Sequence, residues 1–206
     1  MTRTRHSPKG ERMREAILDA AAELFSTRGY RGTSVDAIAE AAELSKAGLL
    51  HHFANKETLL FAVVRERVGM DGAEMAELSR TDVGFDNLER YVRLIERRFS
   101  DPGWVRLYTV LLAESLDISH PINDYMRSRV MRLRRVVSRA LDAGIREGRV
   151  AADVDKDEIA ATIVGAVDGL RIQLLLAPSF DAARAFRRLV DSLLEPVLQP
   201  QPQLKS

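Results

Sequence analysis

Apolar residues recur every three to four positions along most of this chain, and no segment alternates apolar and polar residues as a β-strand does. This period predicts an all-α fold of about nine helices. Their apolar stripes fall within residues 13–25, 35–42, 45–53, 55–78, 88–99, 104–112, 126–144, 159–174 and 186–197. Gly69 and Gly72 weaken the middle of the fourth helix, where we expect a break or a kink.

The second and third predicted helices form a motif of their own. The apolar residues of the second share one face: Val35, Ile38, Ala39 and Ala42. Thr33 or Ser34 can cap this helix, and Ser45 can cap the third, whose Leu49 and Phe53 point back to the same core. Two short helices buried against each other, with the outer face of the second left exposed, are typical of a helix-turn-helix, whose second helix enters the DNA major groove.

Three runs in this region resemble the DNA-binding signature of the tetracycline-repressor (TetR) family: ERMREAILDAAAELFSTRGYRGTS, TSVDAIAEAAEL and SKAGLLHHFANKETLL. The resemblance is specific over residues 11–60, and beyond them only length and helix order agree. It implies an N-terminal three-helix DNA-binding head, which the fourth helix links to a helical ligand-binding and dimerisation bundle.

Two residues depart from the family's pattern. Glu43 stands in the turn where the family usually has glycine, so we expect a positive φ there, at a cost of about 1 kcal/mol. Leu50 stands where the family usually has a tyrosine whose hydroxyl binds a phosphate, a contact that leucine cannot make. Neither departure alters the helix-turn-helix pattern itself.

The pattern and the resemblance together divide the chain into three parts. We predict an N-terminal arm and helix-turn-helix DNA-binding domain over residues 1–54, and a helical ligand-binding and dimerisation domain over residues 55–199. Residues 200–206 would be a disordered tail, and Pro196, Pro200 and Pro202 favour disorder from Pro196 onward because proline cannot continue a helix.

The composition of the 206 residues is that of a soluble globular protein, with 46% hydrophobic residues, 30% charged residues and a formal net charge of +1. The absence of cysteine excludes disulfides and thiolate metal sites. No apolar segment follows the basic N-terminus as in a signal peptide, and polar residues interrupt every apolar run before the ~18 residues that span a bilayer. We therefore expect a cytoplasmic protein with no membrane contact.

Positive charge is concentrated at the N-terminus, where residues 1–14 hold five Lys or Arg against one Glu and so carry a formal charge of +4. Arg3 and Arg5 in this arm can lie along DNA phosphates or reach into the minor groove. A solubilising tail explains the same charge equally well.

The residues that we expect at DNA surround the third predicted helix. Lys46 can donate to guanine O6 and N7, Ser45 can bind a base or a phosphate, and Ala47 can touch a thymine methyl group. Lys56 begins the fourth helix, where a phosphate is favoured, although a solvated charge is the alternative. The resemblance implies a backbone contact at His52, for which helix-end packing is the alternative. The full set is Arg3, Arg5, Thr33, Ser34, Ser45, Lys46, Ala47, Gly48, Leu50, His51, His52 and Lys56.

The resemblance also implies a ligand pocket within the fourth to eighth helices. The candidate lining residues are Phe99, Trp104, Tyr108, Met126, Asp168, Arg171 and Gln173. Core packing is the better explanation for the aromatic residues and Met126. The three polar residues interrupt an otherwise apolar helix, and they belong either to the pocket or to a dimer interface.

The last two predicted helices are our candidates for the dimer interface. A strip of small residues spaced by four positions lets another helix approach closely, and an apolar stripe follows in the final helix. The residues are Ala161, Gly165, Gly169, Phe186, Val190, Leu193 and Leu194. With their copies in a second subunit they would form a four-helix bundle, whereas closing the monomer core is the alternative.

The function that the sequence favours is binding and not catalysis. No metal-binding or catalytic motif is present, and the adjacent His51 and His52 project about 100° apart on a helix, so they cannot chelate a metal together. We predict no cofactor and no metal. The favoured hypothesis is a dimeric repressor that binds a near-palindromic double-stranded DNA operator and is released by a small-molecule effector. The alternative is an all-helical protein-interaction or adaptor module that does not act on DNA, and an enzyme is the weakest hypothesis.

Overall fold

The computed structural model describes residues 8–68, 73–80 and 84–199. Within these ranges the chain forms ten α-helices, one 3-10 helix and no β-strand, which confirms the all-α class. The bounds are α1 (Pro8–Arg28), α2 (Val35–Ala41), α3 (Lys46–His52), α4 (Lys56–Glu66), α5 (Ala73–Leu78), α6 (Asn87–Phe99), α7 (Pro102–Glu114), α8 (Asn123–Arg146), α9 (Lys156–Leu176), α10 (Ala182–Leu194) and the 3-10 helix (Glu195–Val197).

The fourth predicted helix is two helices, because α4 ends at Glu66 and α5 begins at Ala73. This division accounts for ten helices where the sequence predicted about nine. Gly69 and Gly72, where we expected a break or a kink, lie outside the described residues.

The chain divides into two compact units. The first contains α1 to α4 together with residues 106–124, which are the last part of α7 and the segment after it. In this unit α1 packs against α2 and α4, and α2 packs against α3. Helix α1 begins at Pro8, earlier than the unpatterned leader suggested, since proline suits the first turn of a helix. It ends at Arg28, and Gly29 then takes a positive φ of 72°.

The second unit contains α5, α6, residues 102–105 at the start of α7, and the chain from residue 125 onward. Helix α10 packs against both α9 and α6, and α5 packs against α6. The Phe186 ring of α10 lies 6.0 Å from the Phe99 ring of α6. Beside this apolar contact, Arg187 donates to Glu96 at 2.8 Å and to Glu89 at 2.6 Å.

Helix α9 is the most apolar helix of the second unit. The helix is long enough to cross a membrane, and its most apolar 18 residues have a mean hydropathy of 1.6. One such helix is weak evidence for a membrane span, because the core helix of a soluble protein can be as long and as apolar. Only 33% of these 18 residues are buried within the subunit. The sequence therefore holds a longer apolar segment than we expected, and the structure leaves much of it exposed.

The chain is ordered beyond the point where we expected disorder. Residues 195–197 form a 3-10 helix, and Leu198 then makes an isolated antiparallel bridge with Val150. The Ala151 amide donates to the Val197 carbonyl oxygen and the Gln199 amide donates to the Arg149 carbonyl oxygen, both at 2.9 Å. Helix α10 ends at Leu194 and Pro196 lies within the 3-10 helix, so the predicted disorder from Pro196 onward is wrong for residues 196–199. The predicted tail over residues 200–206 lies outside the described residues.

Candidate nucleic-acid interface

The starts of α2, α3 and α4 are fixed by side-chain caps. Ser34 accepts from the Ala37 amide at 3.1 Å, and Ser45 accepts from the Gly48 amide at 3.1 Å. Asn55 accepts from the Thr58 amide at 2.7 Å. These bonds satisfy amides that have no partner inside the helix. The predicted caps at Ser45 and Asn55 are confirmed, and Ser34, rather than Thr33, caps α2.

The turn between α2 and α3 has the backbone conformation that the sequence predicted. Glu43 has a φ of 55°, the left-handed region that glycine would occupy without strain. Its amide donates to the Glu40 carbonyl oxygen at 3.0 Å, and the Leu44 amide donates to the Ala39 carbonyl oxygen at 2.8 Å. These bonds hold the tight turn that sets α3 against α2.

Helix α3 has one buried side and one exposed side. Leu49 is fully buried and Phe53 is 4% exposed, so both fix the helix on the core of the head. The opposite side carries the residues that we predicted at the major groove. Ser45, Lys46, Ala47, Leu50 and His51 are exposed, and Gly48 and His52 are half-buried.

The Lys46 ammonium, our main candidate for reading a base, pairs with the Asp36 carboxylate of α2 at 2.9 Å. The two side chains are 55% and 65% exposed. A solvent-exposed pair of this kind contributes about 0–1 kcal/mol. Lys46 can therefore exchange Asp36 for a guanine at little expense.

Two predicted contact residues are engaged inside the head. Thr33 is 2% exposed, and its hydroxyl donates to the carbonyl oxygens of Gly29 at 2.7 Å and Leu24 at 3.2 Å. Its side chain is turned inward to the core of the head, which the prediction of a DNA contact at Thr33 did not anticipate. The Lys56 Nζ donates at 2.9 Å to the carbonyl oxygens of both Tyr30 and Thr33.

Lys56 also lies 4.2 Å from the centre of the Tyr30 ring. Burial lowers the pKa of Lys56, while the nearby Glu114 carboxylate acts in the opposite direction. An ammonium has three N–H donors, and two of them are used here. One remains for an anion, so a phosphate contact by Lys56 stays a prediction. Arg3 and Arg5 lie outside the described residues.

Sequence reasoning missed Glu114, the last residue of α7. Its carboxylate accepts from the Tyr30 amide at 2.7 Å and from the Arg31 amide at 3.4 Å, in the turn between α1 and α2. A Cβ at Gly29 would lie 2.5 Å from Glu114 Oε1, which is the end of a flexible side chain, so the positive φ of 72° is the stronger reason for glycine here. One signal was available, because an acidic residue is disfavoured in the last turn of a helix unless it has a partner.

The segment after α7 makes further contacts with the same turn. Asp117 pairs with Arg31, and the His120 ring lies 5.1 Å from the Tyr30 ring in an edge-on arrangement. His120 is 3% exposed, and burial lowers its pKa. We call Glu114, Asp117 and His120, with the turn residues Tyr30 and Arg31, the α7 clasp.

In the second unit, three of the predicted pocket residues come together. Arg171 is 1% exposed and forms an ion pair with Asp168, and its guanidinium lies 5.4 Å from the centre of the Trp104 ring. The Arg98 guanidinium lies 5.3 Å from the same ring. Trp104 therefore contacts a guanidinium group from α6 and one from α9, because the face of an aromatic ring attracts cations.

The other predicted pocket residues are dispersed. Phe99 and Met126 are buried in the second unit, where Phe99 packs on Phe186, and Gln173 is exposed. Tyr108 is fully buried but belongs to the first unit. Their place in a ligand pocket stays a prediction.

The residues predicted at the dimer interface fall into two groups. Phe186 is fully buried and Val190 is 2% exposed, so both belong to the core of the subunit and not to its surface. Ala161, Leu193 and Leu194 are half-buried, and Gly165 and Gly169 are exposed, with open space where a Cβ would stand. The same side of α9 carries Ile172 and Leu176, which are 50% and 81% exposed and which the prediction left out.

Within the described residues, no group of three or more His, Asp or Glu side chains is placed to hold a metal ion.

A capped helix-turn-helix in an all-α chain, followed by a helical second unit, defines a helix-turn-helix DNA-binding regulator. Residues 17–63 match the family model of the bacterial regulatory proteins of the tetR family. Residues 89–199, more than half of the chain, match the model of the C-terminal domain of BetI-type transcriptional repressors. The chain belongs to the TetR family of bacterial transcriptional regulators, as the resemblance implied.

Individual relatives are distant. RutR of Escherichia coli strain K12 is 36% identical over 81 residues, which are 39% of this chain and only 38% of RutR. The repressor AcnR of Corynebacterium diphtheriae is 28% identical over 195 residues, or 92% of this chain and 93% of AcnR. A crystal structure of a transcriptional regulator from Saccharomonospora viridis in complex with choline superposes with a TM-score of 0.71. It is 26% identical and covers 92% of this chain and 100% of the other.

Proposed function

We propose that this chain is a ligand-responsive repressor that binds a near-palindromic DNA operator as a homodimer and leaves it when a small-molecule effector binds. The observation that carries the proposal is α3. Its start is capped by Ser45, its buried side is fixed by Leu49 and Phe53, and its exposed side is left free of the core. A short helix held in this way can enter the major groove without rearranging the head.

Readout of bases by this helix is sparse. Lys46 and Ser45 are our candidates for base hydrogen bonds on its exposed side, and Ala47 and Leu50 offer apolar contact. Most of the affinity then comes from phosphates and from DNA shape, so binding should weaken strongly as the salt concentration rises.

The exposed apolar side of α9 supports a dimer. Gly165 and Gly169 allow a second helix to approach closely, and Ile172 and Leu176 supply apolar surface next to them. Two copies related by a two-fold axis would place two heads on major-groove faces about 34–36 Å apart, which requires an operator with two-fold symmetry.

The α7 clasp offers a physical route from an effector to the head. Helix α7 begins at Pro102, next to the buried Trp104, and ends at Glu114, which holds the Tyr30 and Arg31 amides. A ligand that shifts α7 would move the turn between α1 and α2. It lowers operator affinity only as far as it prefers the shifted conformation. Choline, which the Saccharomonospora viridis regulator binds, is a reasonable first compound to test.

The test compares two lysines in matched surroundings. Lys46 and Lys156 each pair with an aspartate, Asp36 and Asp142, and the second lies far along the chain from the helix-turn-helix. We expect Lys46→Ala to weaken binding to a selected operator about tenfold or more, and Lys156→Ala to leave it within about twofold. Fluorescence anisotropy with a labelled operator measures both.

Equal affinity of the wild type and Lys46→Ala, with both proteins folded, would overturn the assignment of α3 as the reading helix. Absence of any sequence-selective DNA binding by the wild type, with or without effector candidates, would instead favour an adaptor protein.

A further inference from the structure

Two arginine-lined pockets flank the end of α5 in the second unit, and neither has a place in the proposed function. One is lined by Arg132, Arg135 and Arg139 of α8, with Ser79 and Val136. The other is lined by Arg90, Arg93 and Arg97 of α6, with Glu77 and Leu78. In each, the arginines are spaced i, i+3 and i+7, which places all three on one face of their helix.

The two pockets differ in how their charge is balanced. In the α6 pocket, Glu77 is part of the lining and lies 4.0 Å from Arg90, and Arg93 donates to Glu89 at 2.7 Å. The α6 pocket therefore carries its own carboxylates, which neutralise much of its charge.

Among the described residues that line the α8 pocket there is no carboxylate. Within the described part of the chain, Arg135 donates to the Met131 carbonyl oxygen at 3.3 Å and Arg139 to the Ser79 carbonyl oxygen at 3.4 Å. Two acids that follow these arginines in the sequence are engaged elsewhere, because Asp142 pairs with Lys156 and Glu147 pairs with Arg149 at 3.4 Å. Like charges three and four residues apart destabilise a helix, so an external anion would relieve this face.

We propose that the α8 arginine pocket, lined by Arg132, Arg135 and Arg139, binds a small polyanion, either a phosphorylated or a polycarboxylate metabolite. Guanidinium groups present several donors in a planar fork that matches phosphate and carboxylate oxygens. The pocket encloses about 200 Å³, smaller than the ~300 Å³ at which sites for drug-sized ligands begin, and its concave shape suits a compact anion better than a DNA duplex.

The experiment is a calorimetric titration of the full-length protein with inorganic pyrophosphate and, separately, with citrate, in the absence of DNA. We expect saturable binding of at least one of the two by the wild type. The double variant Arg135→Ala/Arg139→Ala should weaken that binding at least about tenfold, because it removes two guanidinium groups that pair with no carboxylate among the described residues.

The matched control is Arg90→Ala/Arg93→Ala, which removes the same charge from the α6 pocket. This control should stay within about twofold of the wild type. Equal weakening by both double variants would show a general effect of net charge and overturn the proposal. Absence of saturable binding by the wild type would overturn it as well.

A third titration, with duplex DNA of random sequence, separates nucleic acid from small anions. If Arg135→Ala/Arg139→Ala lowers affinity for this DNA while neither small anion binds, the face serves DNA phosphates and the proposal is wrong. Because the two small-anion titrations contain no DNA, their failure leaves the proposed repressor function untouched.

Discussion

Helix α3 of the head buries its apolar side within its own unit, whereas α9 leaves large apolar side chains exposed. In α3 the apolar side is closed, with Leu49 fully buried and Phe53 4% exposed, whereas in α9 Ile172 and Leu176 are 50% and 81% exposed. A short amphipathic helix finds enough apolar surface within its own unit. A helix that is apolar on more than one side needs a further partner, which in this chain we propose to be a second copy.

The largest effect that sharpens this comparison is expected in the closed head. Leu49→Ala should lower the free energy of unfolding by about 3 kcal/mol, because it leaves a cavity at a fully buried site. Its neighbour Leu50 is 37% exposed, and Leu50→Ala should change stability by no more than about 0.5 kcal/mol. Urea unfolding followed by circular dichroism at one protein concentration measures both. Similar losses in the two variants would mean that α3 is not closed on this core.

A smaller effect is expected at the open side of α9. Ile172→Glu should raise the dimer dissociation constant by roughly thirtyfold, about 2 kcal/mol, because a two-fold interface would bury the new carboxylate twice. Ile118 is 90% exposed in the first unit, so Ile118→Glu is a control with the same change of side chain. Sedimentation velocity over a range of concentrations measures the dimer. A dimer that tolerates Ile172→Glu as well as Ile118→Glu would place the interface elsewhere.

The α7 clasp should contribute less than either of these. Glu114→Gln removes the charge of an acceptor that binds the Tyr30 amide at 2.7 Å and should destabilise the first unit by about 1–1.5 kcal/mol. Glu23→Gln, on the exposed side of α1, should have an effect of at most about 0.5 kcal/mol. Hydrogen exchange at the Tyr30 amide reports the contact directly, and unchanged protection of that amide in Glu114→Ala, which removes both acceptor oxygens, would contradict the clasp.

The smallest effect depends on pH. Hydrogen bonds from Arg14 hold the pKa of Glu66 at about 2, below its ordinary value near 4.5. A carboxylate with a lowered pKa in the folded state stabilises fully above its unfolded pKa, and this contribution is lost as the pH falls from about 4.5 towards 2. We expect Glu66→Gln to destabilise by about 1 kcal/mol at pH 7, and the difference from the wild type to shrink as the pH falls below about 4.5 and to be nearly gone at about pH 2. A difference that does not vary with pH would rule out the ion pair as its cause.

Local chemistry made most of the head predictable from sequence. The caps at Ser45 and Asn55, the positive φ at Glu43 and the stop at Gly29 depend on residues within one turn of each other. Propensities and caps act over this range, so a reading of neighbours is sufficient.

Contacts between distant residues were not predictable in the same way. Glu114 binds an amide 84 positions away. The Val150–Leu198 bridge holds a segment that we had predicted to be disordered because of its prolines. Periodicity also identified the apolar residues of the last helices, but it does not show which residues they pack against. It therefore assigned Phe186 to a dimer interface although it lies in the core, and missed Ile172 on the open side of α9.

The most direct test of the account is selection of bound sequences from a random pool of duplex DNA by the purified protein, at a low and a high salt concentration. We predict enrichment of a near-palindrome whose half-sites are about one helical turn apart, with much weaker binding at high salt. Failure of the folded, dimeric protein to enrich any sequence at either salt concentration, with effector candidates present or absent, would contradict the assignment of this chain as an operator-binding repressor.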